Sequence, residues 1–159
     1  MRIHSMLALA GLAISFVLPT FAQQKDAVDP KTEQQIRALT SNFDAAFNRN
    51  DAAAVAAPYT ANGVSVFHQT SYGRQAIEKS YAHDFQRWHP NNHIISVNHV
   101  ILAGNDVRAI GKWSCVFQNT TGGPGNDGGH CSWVIVREGD TWKIRRHSES
   151  GTGSSFSTN

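Results

Sequence analysis

The sequence predicts one α+β domain. Three stretches with helical period fill its first half, strand-period stretches fill its second, and short turns join the strands. Helices first and a meander of strands afterwards speak for an antiparallel sheet and against a parallel βαβ arrangement. The chain's 159 residues suffice for one hydrophobic core and are too few for two of ordinary size.

The first helix opens at Asp29-Pro30, an N-cap followed by proline at the first helical position. Ile36, Leu39, Phe43, Ala46 and Phe47 recur at helical spacing to about Asn48, which gives one apolar face. Asp51 caps a second, short helix over 52–57, ended by Pro58. Asn62-Gly63 turns the chain into a strand over 64–68. Gly73 then precedes a third helix with Ile77, Tyr81, Phe85 and Trp88 on one face, stopped by Pro90. Strands follow over 93–103, 107–118, 130–137 and 142–150. Gly104-Asn105, a Gly-rich loop over 121–129 and Glu138-Gly139-Asp140 separate them. The Ser/Gly-rich tail, 151–159, is expected to be disordered.

Alternation assigns the strand faces. With a tight turn at Gly104-Asn105, Val107, Ala109, Trp113, Cys115 and Phe117 share a face with Val100 and Leu102. Centring the next hairpin on its Gly-rich loop sets Cys115 opposite Cys131 and Trp113 opposite Trp133, with Ile135, Trp142 and Ile144 continuing the apolar face. The other face carries Arg108, Lys112, Ser114, His130, Ser132, Lys143, Arg145 and His147, mixed with Ile110, Val116 and Val134. A slip of one residue at either turn inverts part of this assignment. His147 and Glu149 fall outward with His130 and His99, and a bulge would swing them inward.

The chain opens with Arg2, an apolar run from Met6 to Leu18, and Thr20-Phe21-Ala22 before Gln23. That pattern reads as a signal peptide over 1–22, cleaved after Ala22, with a linker over 23–30 and the domain over 31–150. The run is shorter than the ~20 apolar residues that span a bilayer. Cleavage removes Arg2, so 14 basic residues become 13 against 12 acids. A near-neutral domain has no electrostatic reason to bind nucleic acid or an anionic membrane. The expected location is the periplasm or the exterior, with no membrane contact after cleavage. In such an oxidising compartment Cys115 and Cys131 read as a cross-strand disulfide, the alternative being buried free thiols. Closing that loop contributes roughly 3 kcal/mol in the chain-entropy model.

Three stretches carry a family likeness: Phe43 to Tyr59 with Asp51 opening the second helix, Tyr72-Gly73-Arg74-Gln75-Ala76-Ile77, and Gly139-Asp140-Thr141-Trp142-Lys143-Ile144. In that order they resemble the nuclear transport factor 2-like (SnoaL-like, ketosteroid isomerase-like) superfamily over roughly residues 31–150. The resemblance implies a cone: a strongly curved antiparallel sheet wrapped around three N-terminal helices, with a hydrophobic pocket at the open end. It also implies a homodimer through the outer sheet face, here around Ile110, Ser114, Val116, Ser132 and Val134. Functions in the superfamily run from isomerases and dehydratases to non-catalytic binding modules, so the fold settles no reaction.

In the isomerase branch a tyrosine on the first helix and an aspartate on the first strand do the chemistry. Their places fall on Phe43 and Phe67, which can neither donate a hydrogen bond nor accept a proton. The dehydratase branch uses histidines with tyrosines and an aspartate, which points to His68 at the pocket rim with Tyr81 or Asp44. The pocket itself is expected to be lined by Phe43, Phe47, Phe67, Tyr81, Trp113, Phe117 and Trp133. No metal site and no cofactor are expected. His83 and His89 are six apart on a helix, and His93 and His99 share a strand face some ~20 Å apart. The Gly-rich loop lacks the Lys-Ser/Thr of a phosphate loop and reads as a flexible connection near the pocket mouth. The resulting expectation is an exported domain that binds a small, mostly apolar molecule, with no assignable reaction. The alternatives are a lyase or isomerase using His68 with Tyr81 or Asp44, and a dimerising accessory domain without ligand.

Overall fold

The structure is a computed structural model and describes residues 27–119, 123–151 and 155–156. The predicted signal segment and the first half of the linker, 23–26, lie outside the described residues. Asp29 caps the first helix, α1 (Pro30–Asn48), accepting a 3.0 Å hydrogen bond from the Thr32 N–H. Asp51 does the same for α2 (Ala52–Ala56) through the Ala54 N–H at 3.0 Å. The chain then forms β1 (Tyr59–Val66), which starts five residues before its expected position, and a short β2 (Thr70–Tyr72) that the sequence pattern did not indicate.

Gly73 precedes α3 (Arg74–Trp88) with φ at +81°, a conformation that favours glycine, and its N–H reaches Gly63 O at 2.7 Å. Arg74 turns back to donate two hydrogen bonds to Tyr59 O, at 2.7 and 3.0 Å. The glycine-arginine pair therefore ties the start of α3 to β1. His89, in the left-handed conformation, ends the helix before Pro90.

Four long strands follow: β3 (Asn91–Ala103), β4 (Asp106–Asn119), β5 (Gly123–Glu138) and β6 (Thr141–Gly151). The sheet runs β2-β1-β6-β5-β4-β3, antiparallel throughout except where β1 lies parallel to β6. Its curved, unclosed surface wraps the three helices as the α+β cone expected. The core gathers Ile36 and Phe43 of α1, Ile77 of α3, and Trp133, Ile135 and Ile144 of the sheet, all essentially without exposure. Two residues of the tail, Ser155–Phe156, form β7 on Gly125 and Asn126 of β5 instead of being disordered.

The β4–β5 register corrects the cysteine pairing. Cys115 lies across from Asp127 and Cys131 across from Gly111, so the two cysteines sit four positions apart along the ladder. That is about 13 Å at the strand rise, well past the ~7 Å a disulfide tolerates between Cα atoms. Both thiols are free and buried, and burial pushes each up to about 12. The expected loop is largely strand: Asn119 already pairs with Gly123, and Gly123 to Gly129 continue along β4. Trp113 accordingly faces Gly129, and Trp133 faces Ala109. Because the displacement is an even number of residues, the inward face survives, with Val107, Ala109, Trp113, Cys115 and Cys131 buried.

Two bulges alter the faces. In β6, Val134 pairs with Arg146 but Ile135 with Ile144, so Arg145 is the extra residue. Beyond it His147 and Glu149 point inward, not outward with His130. In β3 a shift between Val97 and His99 separates buried His93 from exposed His99, which do not share a face.

Candidate functional site

The wide end of the cone holds a cavity of about 270 Å³. Its wall takes Phe47 from α1, Tyr81, Asp84 and Trp88 from α3, and Phe67 and His68 from the turn after β1. The sheet contributes His93, Trp113, Cys115, Phe117, Asp127 and Glu149. Five of the seven aromatics expected to line it do so. Phe43 and Trp133 instead pack edge-to-face at 5.0 Å in the core beneath, each about 1% exposed. His68 lies at the outer part, where a second depression of about 310 Å³ continues past Phe67 and Tyr81 to Ser71 and Ser80.

Asp44 is bound to His93, not to His68. Its Oδ1 is 2.7 Å from His93 Nδ1, and its Oδ2 accepts from the Ile95 N–H at 2.9 Å. Asn48, one turn later on α1, accepts from His93 N at 2.6 Å and donates to His93 O at 2.8 Å. Two side chains of one helix face therefore grip the start of β3 and fix the imidazole. Phe47 stacks on that ring at 4.1 Å between centroids. With Nδ1 held, Nε2 has no hydrogen-bond partner among the described residues, and the ring forms part of the cavity wall.

A second histidine–carboxylate pair comes from β6. His147, 1% exposed, has Nδ1 3.0 Å from the Tyr59 hydroxyl. Its Nε2 is 2.9 Å from Glu149 Oε1, an ion-pair contact. Burial pushes the Glu149 carboxyl up, but the charge and contact of His147, with His93 and His68 further off, outweigh it and hold the carboxyl below its ordinary value. Burial also pushes the Tyr59 and Tyr81 hydroxyls well above the usual phenol range, so both stay protonated and able to donate.

Of the three residues the sequence nominated for acid–base work, Tyr81 and His68 line the cavity and Asp44 stands behind it. His93, His147, Glu149 and Tyr59 were not nominated. Sequence spacing speaks to His93 in particular only as a metal ligand, and the parity of β6 turns His147 and Glu149 outward unless a bulge intervenes, as it does at Arg145. Among the described residues no group of three or more His, Cys, Asp or Glu is arranged to hold a metal ion.

The chain belongs to the SnoaL-like domain family, which matches residues 31–148. Its fold is similar to that of a putative scytalone dehydratase from Novosphingobium aromaticivorans, at 13% identity and a TM-score of 0.71 over 81% of this chain and 89% of that one. A hexachlorocyclohexane dehydrochlorinase superposes at 12% identity and a TM-score of 0.72, over 81% and 90%. A ketosteroid isomerase-like protein from Erwinia carotovora does so at 20% identity and 0.67, over 79% and 99%. Identities this low make the likeness one of fold. No curated protein sequence matches the chain.

Proposed function

We propose that this protein is a lyase that removes a proton from carbon in a small, mostly apolar substrate and expels a leaving group from the neighbouring atom. The observation that carries this reading is the Asp44–His93 pair, with Nδ1 held at 2.7 Å and the ring in the cavity wall. A carboxylate behind an imidazole fixes its tautomer and stabilises the imidazolium formed when Nε2 takes a proton. The aromatic wall excludes water and accommodates an apolar body. Two of the structural neighbours are named for eliminations, of water and of hydrogen chloride, which agrees with the same chemistry on this fold. His68, at the mouth and with no carboxylate in ion-pair contact among the described residues, is the weaker candidate for the base.

The test is a panel of small apolar compounds carrying hydroxyl or chloride β to an activated C–H, followed by absorbance of the unsaturated product. Turnover by the wild type should fall roughly 10²- to 10⁴-fold in His93→Ala, with binding retained. Asp44→Asn should cost nearly as much, because an amide donating to Nδ1 enforces the wrong tautomer. The aromatic wall also favours a second reading, a binding module for such molecules. Quenching of tryptophan emission by panel members that are never turned over would establish that reading and reject the lyase.

A further inference from the structure

We propose that Glu149 is a second base of the same cavity, facing the substrate from β6 as His93 faces it from β3. This rests on the reading of the cavity as a site of proton abstraction. The two histidine–carboxylate pairs meet the cavity in opposite order. At β3 the imidazole lines the wall and Asp44 stands behind it. At β6 the carboxylate lines the wall, His147 stands behind it, and Tyr59 stands behind His147.

An ion pair kept for stability alone satisfies the remaining lone pairs of its carboxylate as well, because those bonds offset the cost of taking both charges out of water. The Glu149 side chain is 8% exposed and lines the cavity, and the 2.9 Å contact with His147 Nε2 takes only one of its oxygens, Oε1. Such a carboxylate keeps its lone pairs for something in the cavity. In the tautomer in which the Tyr59 hydroxyl donates to Nδ1, the His147 proton lies on Nε2, beside Glu149. That arrangement keeps the carboxyl ionised, which the depressed value of Glu149 supports.

The experiment uses a nitro-substituted benzisoxazole, a small flat aromatic that any positioned base converts to a coloured cyanophenolate. The base takes the ring C–H proton, that electron pair completes the nitrile, and the N–O bond breaks with its electrons left on oxygen. The proton then passes from the base to water. His93→Ala should retain a rate above that of free acetate and imidazole, and adding Glu149→Gln should remove it, a further drop of about tenfold or more. Probe binding, read by tryptophan quenching, should be unchanged in both. If the Gln variant does not fold, Glu149→Asp in the His93→Ala background decides: shortening the reach by a methylene must lower the residual rate, and an unchanged rate overturns the proposal. A rate lost entirely in His93→Ala and untouched by Glu149→Gln overturns the proposal and keeps His93 as the base. Dependence on Glu149 alone keeps Glu149 as a base and overturns the His93 reading. No wild-type rate above the free bases overturns both.

Discussion

At Glu149 burial and ion pairing act in opposite directions, and the outcome has a measurable consequence apart from any reaction. Burial raises the carboxyl, His147 and the neighbouring imidazoles lower it, and the lowering prevails over the ordinary 4.5. A carboxyl whose folded value lies below its unfolded one stabilises the fold fully above pH 4.5, and loses that contribution as the pH falls through the folded value. Denaturant midpoints across acid pH should therefore decline less steeply for Glu149→Gln than for the wild type. Asp29 is also depressed, by its cap on Thr32, but it is common to both proteins and cancels in the difference. Parallel curves would mean that Glu149 titrates alike in the folded and unfolded chains. The sequence names the residue only conditionally, as one that a bulge in the last strand would swing inward. After Ile144 the strand reads Arg145-Arg146-His147-Ser148-Glu149-Ser150, with no apolar residue to mark which side faces the core.

The same absence explains what was legible at the level of elements. Helix boundaries came out within about two residues because caps and breakers mark them chemically: Asp29 with Pro30, Asp51, Gly73 and Pro90. Strand faces were legible wherever apolar residues alternate, as from Val107 to Cys115, and were lost beyond the Arg145 bulge. The Gly-rich run was misread as a loop because glycine is depleted in strands, yet here it serves the cavity. Gly129 and Gly125 lie across from Trp113 and Phe117, two rings of the cavity wall, so the small residues leave room for the large ones. A methyl at Gly129 would run into the backbone carbonyl of Ser150, whereas one at Gly125 meets only the Phe117 ring, which can turn aside. Gly129→Ala should accordingly cost about 1–3 kcal/mol, and Gly125→Ala less. Equal denaturant midpoints for the two variants would show that β6 shifts freely at Ser150.

For the molecule as a whole, the outer face of β3, β4 and β5 is a broad surface that no helix covers among the described residues. The inner face packs on the helices and lines the cavity, whereas outside, Ile94 and Ile110 are 56% and 38% exposed, with Ser114 and Ser132 as their cross-strand neighbours. Val116 and Val134 on the same face are half-buried, and Arg108 and Lys112 keep it from being uniformly apolar. A patch of this kind, apolar at its centre with charge interspersed, suits a two-fold interface in which each residue meets a counterpart on the second copy. We expect the protein to be a homodimer through this face. Ile110 lies near its middle, so Ile110→Glu would bury two carboxylates in the interface and should give a monomer at concentrations where the wild type is dimeric. The cavity opens on the other side of the sheet, so the substitution should leave ligand-induced quenching of tryptophan emission unchanged. Light scattering decides the matter: a wild type that stays monomeric at high micromolar concentration, or an Ile110→Glu variant that remains a dimer, would place the interface elsewhere or remove it.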